Sequence, residues 1–301
     1  MSVGTAAETV TLGDLRRQAW DLLRDVGIVN MARETDWLLA SALGVPSHAL
    51  ILEGERPVSA LQVEQAWSLL SRRAAREPLQ YILGTQEFRG LDIAVTPDVL
   101  IPRPETGLLV EEALRAVADC GEPMIADVGT GSGCIAVAIA CERPGATVYA
   151  IDLSGGALAV ARSNATRHGM RDRIRFIQAD LLEAFSGESA GAFDAIVSNP
   201  PYIPEQELEA LQPEVARYEP RMALAARPDG LAFYRRLLRE APPLLKPGGC
   251  LIMELGFGQS EAVTQLARQS GAFGSIECRK DAAGIERVLV ARVGAGGVRG
   301  S

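Results

Sequence analysis

The feature that most constrains this chain is a regular alternation of short apolar runs with helical stretches from about Thr106 onward. Apolar, β-prone runs occupy residues 124–128, 147–151, 174–178, 195–198, 250–255, 275–278 and 287–291. Helical patterns fill most of the gaps, for example 107–118, 134–141 and 157–168. Alternation of this kind predicts a mostly parallel sheet of seven strands, covered by helices on both faces. Open sheets of that class bind ligands beyond the carboxyl ends of their strands, so the residues that follow each run are the ones to read for chemistry.

The first run leads into Asp127-Val128-Gly129-Thr130-Gly131-Ser132-Gly133, which opens a helix. Glycines there let the backbone turn tightly and let a ligand approach where a side chain would collide. A dinucleotide fingerprint would place Gly or Ala three residues after Gly131; that position is Cys134, and the spacing is G-x-G-x-G. Asp152 ends the second run, about 20 residues on, where a carboxylate can accept both hydroxyls of a ribose. Asp180 follows the third run at the place of an adenine amino group, with Leu181 beside it to pack on the ring. Each acid alone reads equally well as a loop or cap residue. Together with the glycine loop, on three consecutive strand ends, they indicate a nucleoside cofactor.

Asn199-Pro200-Pro201-Tyr202 follows the fourth run and therefore lies at the same edge. Two prolines fix φ and carry no N–H, so neighbouring carbonyls can face a ligand without a competing amide. A planar nitrogen bearing two hydrogens needs two acceptors, and the Asn199 side-chain oxygen with the Pro200 carbonyl would supply them. Tyr202 offers a flat face for stacking. The plain alternative is a rigid turn after a strand.

Upstream, residues 12–75 read as helices only. Leu12, Leu15, Ala19, Leu22 and Val26 keep three-four spacing, Thr11 with Asp14 forms a capping signal, and Gly27 is a stop. Further helices are expected over about 32–43, 47–52 and 59–73, the last turning Val63, Trp67 and Leu70 inward. Residues 80–101 contain β-prone pieces divided by Gly84, Gly90 and Pro97, the pattern of a hairpin or extended linker. The expected organisation is a helical recognition domain over 1–79, a hairpin or linker over 80–105, an α/β domain over 106–293 and a disordered Gly-rich tail over 294–301.

Composition removes several classes. A formal net charge of −8 argues against a protein that grips nucleic acid through phosphates. Cys120, Cys134, Cys141, Cys250 and Cys278 form no CxxC pair, and the histidines are His48 and His168, so neither a metal site nor a disulfide framework is expected. No signal-peptide pattern opens the chain, and no apolar run approaches the roughly 18 residues of a membrane span. A soluble, cytoplasmic monomer is the expectation.

These motifs belong to a wider set. EPLQYILG (77–84), EFRG (87–90), VLIPRPET (99–106), DVGTGSG, SNPPYIP (198–204), EVARYEPRMAL (214–224), DGLAFYRRL (229–237), LKPGGCLIMELGFGQ (245–259) and DAAGIERVLVAR (281–292) span nearly the whole chain. In them the chain resembles the release factor glutamine methyltransferases, the HemK or PrmC family. NPPY alone is shared with many enzymes that methylate amino groups of bases, whereas IPRPET and YEPRMAL are far more specific.

The resemblance implies a Rossmann-like class I S-adenosylmethionine methyltransferase with a small N-terminal helical bundle. It implies methylation of the side-chain amide of the glutamine in the Gly-Gly-Gln motif of class 1 peptide chain release factors, with S-adenosyl-L-homocysteine as product. Carried over, Gly129, Thr130, Gly131, Ser132, Gly133, Asp152, Asp180, Leu181 and Asn199 hold the cofactor, while Asn199, Pro200, Pro201 and Tyr202 hold the glutamine. Asn199, Pro200 and Tyr202 are the expected catalytic residues, and the helical domain contacts the release factor. Two departures stand out: Gly107 where members commonly carry an acid, and Leu181 where many carry an aromatic residue. Arg103 and Glu105 are read as pinning the linker, with a catalytic role as the alternative, and Tyr218 to Arg221 as a conformational segment near the substrate loop. Rival readings are a glutamine methyltransferase of a ribosomal protein, a nucleic-acid amino methyltransferase, which would need a basic track or base-flipping domain, and a cofactor-binding module without activity.

Overall fold

The structure is a computed structural model that describes residues 10–185, 190–226 and 228–294. The expectation for the tail therefore falls, apart from Gly294, outside the described residues. Two compact units divide between Gly84 and Thr85.

The first unit contains α1 (Leu12–Asp25), α2 (Met31–Leu43), α3 (Ala49–Leu52), α4 (Ala60–Ala74) and α5 (Leu79–Leu83). Thr11 and Asp14 close the expected capping box on α1, and Ser59 with Gln62 closes a second on α4. The buried face of α1 is Leu12, Leu15, Ala19 and Leu23. Leu22 is only partly buried and Val26 lies beyond the helix end at 37% exposure, so the expected stripe was displaced by one residue in its last turn. On α4, Ala66 and Leu70 are buried, while Val63 and Trp67 are half-buried. Residues 80–83, expected in the hairpin, are helical. Leu79 and Ile82 bury themselves in the helical core, and that packing overrides the β preference of Tyr81 and Ile82.

The second unit opens with an antiparallel hairpin of β1 (Thr85–Phe88) and β2 (Leu91–Ala94). After a single turn at Pro104–Thr106 come α6 (Gly107–Ala116), β3 (Met124–Val128), α7 (Cys134–Glu142), β4 (Thr147–Asp152), α8 (Gly155–Arg167), β5 (Ile174–Gln178) and β6 (Phe193–Ser198). A parallel bridge then joins β7 (Ile203–Pro204) to β8 (Ala225–Ala226) around α9 (Pro213–Tyr218) and α10 (Arg221–Leu224), a stretch to which sequence patterns assigned no elements. The chain continues through α11 (Ala232–Glu240), β9 (Leu245–Glu254), α12 (Ser260–Ser270), β10 (Ser275–Lys280) and β11 (Glu286–Arg292).

Seven strands form one sheet in the order β10-β11-β9-β6-β3-β4-β5. β9, β6, β3, β4 and β5 are parallel, and β11 and β10 close one edge antiparallel. On one face Ala126, Ile196, Leu251 and Leu289 pack with Tyr234, Leu237 and Leu238 of α11 and Val263 of α12. α6, α7 and α8 lie against one another and against the sheet. The chain leaves β3 for β4 and β5 and later returns to the other side of β3 through β6, which makes β3/β6 the switch point where a crevice opens.

Candidate active site

The loop after β3 is tied to the end of β4, because the N–H groups of Gly129 and Thr130 both donate to the Ile151 carbonyl at 2.8 and 2.9 Å. Gly129 and Gly131 adopt φ of +74° and +54°, and a Cβ on either would project into open space. That clearance is what a ligand approaching the backbone requires. Gly133 differs: its φ is +78°, and a Cβ would stand 2.9 Å from the Cβ of Ala161. Its role is close packing of the loop on α8.

The Asp152 carboxylate is held by two backbone amides, Gly131 N–H on Oδ2 and Ser154 N–H on Oδ1, each at 2.9 Å. Each oxygen has a second lone pair, so a fixed carboxylate at the cleft wall retains acceptor capacity for a diol. Asp127, fully buried, accepts the Thr130 hydroxyl at 2.6 Å, and burial pushes its carboxyl up to about 7. Asp180 faces Arg236, whose Nη1 lies 2.8 and 2.9 Å from its two oxygens. Leu181, in a left-handed conformation at φ +50°, lines the cleft together with Phe233 of α11.

At the end of β6, the buried Ser198 hydroxyl donates to the Val128 carbonyl at 2.8 Å and locks β6 to β3. Asn199 then enters the cleft with its Nδ2 turned toward Thr106 Oγ1 at 3.3 Å. Thr106 in turn donates to Glu254 Oε2 at 2.7 Å, and burial pushes the Glu254 carboxyl up to about 7. With the nitrogen inward, the Asn199 oxygen is the end left for the cleft. Pro201 lines the cleft, Pro200 is buried, and Tyr202 packs against the main core. Gln259 Nε2 donates to the Tyr202 carbonyl at 3.0 Å, and a Cβ at Gly256 would meet the Tyr202 ring at 2.9 Å, so the turn is clamped from behind.

One cleft thus gathers Gly129, Thr130, Gly131, Ser132, Asp152, Asp180, Leu181, Asn199 and Pro201, enclosing about 1050 Å³ of space continuous with solvent. Gly133, Pro200 and Tyr202 support that wall and do not line it. Arg103 donates to Glu219 at 2.6 Å, and Glu219 also accepts the Ile101 N–H at 3.3 Å. The segment before α6 is therefore pinned by Glu219 rather than by Glu105. Thr106, Glu254, Asn164 and Arg236 went unread as site residues. Thr106 and Glu254 stand inside quoted motifs, and Glu254 ends an apolar strand as Asp152 does and Asp127 nearly does, which is the one local signal available.

The sheet order, the cleft at its carboxyl edge and a match of residues 106–216 to the methyltransferase small domain define a Rossmann-like methyltransferase. Residues 14–84 match the PrmC N-terminal domain. The release factor glutamine methyltransferase of Geobacter sulfurreducens is 47% identical over 272 residues, 90% of this chain and 93% of that protein. That of Chlorobaculum tepidum is 44% identical over 84% of this chain and 87% of its own length. The chain belongs to the release factor glutamine methyltransferase family. Among solved structures, the hMettl16 catalytic domain in complex with the MAT2A 3'UTR hairpin 6 shares the fold, with a TM-score of 0.56, 18% identity and coverage of 74% of this chain and 81% of that one.

Proposed function

We propose that this enzyme methylates the side-chain amide nitrogen of the glutamine in the Gly-Gly-Gln motif of class 1 peptide chain release factors. The observation that carries the reading is the orientation of Asn199, whose amide nitrogen is engaged by Thr106 so that its oxygen is presented to the cleft. That oxygen accepts one N–H of the substrate amide, and the Pro200 carbonyl is proposed as the second acceptor although Pro200 itself lies behind the cleft wall. The glycine loop from Gly129 to Gly133, Asp152 and the Asp180–Leu181 corner hold the cofactor, with Gly133 acting through the packing of the loop. When bound, S-adenosyl-L-methionine supplies a methyl already activated by its cationic sulfur. An amide nitrogen is a poor nucleophile because its lone pair is shared with the carbonyl. The chain's task is therefore orientation, and stabilisation of the charge that grows on nitrogen, with no strong base needed before transfer. Tyr202 and Pro201 shape the acceptor wall.

In this reading the helical unit recognises the release factor, the enzyme is a cytoplasmic monomer, and it does not itself bind nucleic acid. The net charge of −8 supports the last point, and no helix among the described residues is long and apolar enough to cross a membrane. The test is incubation with purified release factor and labelled cofactor, with the methyl mapped by mass spectrometry. The expected result is a single methyl on the Gly-Gly-Gln glutamine, lost in Asn199→Ala while cofactor affinity is largely kept. Label on nucleic acid or on another residue overturns the assignment.

A further inference from the structure

Neither Thr106 nor Glu254 touches the substrate in the reaction as described, yet they stand directly behind its key side chain. Thr106 is 3% exposed and Glu254, the last residue of β9, is 4% exposed. The Thr106 hydroxyl has one proton, and it is spent on Glu254 Oε2 at 2.7 Å. On its other side the hydroxyl oxygen can therefore only accept, and it accepts from Asn199 Nδ2 at 3.3 Å. A flipped Asn199 would set two acceptor oxygens against each other at that distance. Donation thus runs in one direction, from Asn199 to Thr106 to Glu254, and leaves the Asn199 oxygen as the acceptor for the cleft.

We infer that Thr106 and Glu254 are positioning residues that fix the polarity of the Asn199 amide, so that its oxygen and not its nitrogen meets the substrate amide. The inference rests on the proposed role of Asn199 as an acceptor. An amide turned the other way would present N–H groups to the substrate's own N–H groups, and no transfer geometry would form. The ionisation of Glu254 matters to this arrangement. As a carboxylate it only accepts, whereas as an acid it also donates to Thr106 and releases the constraint. The charged groups that act on it are the carboxylate of Glu105 and the guanidinium groups of Arg103 and Arg287, and the titratable groups facing it are the phenols of Tyr202 and Tyr234 and the thiol of Cys134. Tyr234 also donates to the Glu254 backbone carbonyl at 3.1 Å.

The test compares wild type, Thr106→Val, Thr106→Ser and Glu254→Gln on release factor, with thermal melting to establish folding and calorimetry of S-adenosyl-L-homocysteine binding. Thr106→Val keeps the shape and removes the hydroxyl. The expected result is a fall in kcat of about 10- to 100-fold, product affinity within about threefold, and recovery in Thr106→Ser. Wild-type kcat should fall below about pH 7, where Glu254 takes up its proton, and that acid limb should be absent in Glu254→Gln. Unchanged kcat in Thr106→Val overturns the inference, as does an equal loss in Thr106→Ser, since a merely structural methyl would behave that way. Should Thr106→Val fail to fold, the Glu254→Gln profile decides, and an acid limb unchanged from wild type refutes the relay. A wild-type enzyme that leaves the glutamine unmethylated overturns the proposed function itself. A normal wild type with an indifferent Thr106→Val removes only the relay.

Discussion

Asn164 is the sharpest place to test how the cofactor loop is held. It is fully buried in α8 and makes three hydrogen bonds to backbone that is distant in sequence. Its Oδ1 accepts the Ala94 N–H at 2.8 Å, and its Nδ2 donates to the Ala94 carbonyl at 2.9 Å and to the Ser132 carbonyl at 2.8 Å. One side chain therefore ties both the hairpin and the glycine loop to α8. Asn164→Asp preserves size and the acceptor but removes both donors, leaving a carboxyl against two buried carbonyls. Two lost bonds and their unsatisfied acceptors together amount to roughly 3–5 kcal/mol. For a unit the size of Thr85–Ser301, that corresponds to about 10 °C in Tm. The pH dependence has a fixed sign. Facing carbonyls, the new carboxyl has a folded-state pKa above its unfolded value, so the variant's stability is lost as pH rises through that value. At low pH the protonated group restores one donor. Differential scanning calorimetry at pH 5 and pH 8 should show the larger deficit at pH 8, with S-adenosyl-L-homocysteine affinity reduced through the disturbed loop. A Tm within about 2 °C of wild type at both pH values, or a larger deficit at pH 5, would refute the reasoning.

Two further outcomes follow from the same edge of the sheet. Gly133→Ala combines φ +78° with a Cβ 2.9 Å from that of Ala161, so it should cost roughly 2–4 kcal/mol. Adding Ala161→Gly should recover part of that loss in thermal melts, and equal melting of single variant and wild type would exclude the contact. Asp127 has its carboxyl raised from 3.8 to about 7 by burial, so the penalty for its charge is absent at acid pH and complete above neutrality. Asp127→Asn should thus be more stable than wild type at pH 8 by on the order of 2–4 kcal/mol and indistinguishable near pH 4. Parallel Tm profiles of the two proteins across that range would contradict this.

The sequence was most readable where the physics is local. Met124–Val128 and Ile174–Gln178 are strands over the residues their apolar runs indicate, and the capping box at Thr11 is where Thr and Asp at three-residue spacing place it. The convergence of the glycine loop and Asp152 on one cleft follows from the sequence pattern, because strand ends in a parallel sheet share one edge. What escaped was set by packing partners far along the chain. Asn164 meets a backbone 70 residues away and Thr106 meets Glu254 at a separation of 148. An Asn inside an amphipathic helix and a Thr after a proline pair carry no periodic signal for either contact. The helix at 80–83, where a hairpin is expected, has the same origin, since its Tyr and Ile follow the helical core rather than their own preference. Asp180 shows the limit from the other side: it follows β5 and lines the cleft, but its ion pair with Arg236 of α11 depends on how a later helix lands on the sheet.

The two buried acids explain why this edge is not built for stability alone. Asp127 ends near the tip of β3 and Glu254 ends β9, and these strands flank β6, which delivers Asn199. Both carboxyls are raised to about 7 by burial, so each makes the fold less stable above neutrality than a neutral side chain of the same shape would. A fold shaped only for stability would not carry them, and their presence on both sides of the reacting strand fits the general cost of preorganised sites. The chemistry accounts for that cost. The methyl arrives activated, so the rate depends on how firmly one amide nitrogen is aimed, and firmness here derives from hydrogen bonds of fixed direction: Thr130 to Asp127 behind the cofactor loop and Thr106 to Glu254 behind Asn199. Ionised acids are the acceptors that give such chains a single direction. Substitutions that relieve the two charges should therefore raise Tm while lowering turnover, and the loss should be in kcat rather than in cofactor affinity where Glu254 is the residue changed.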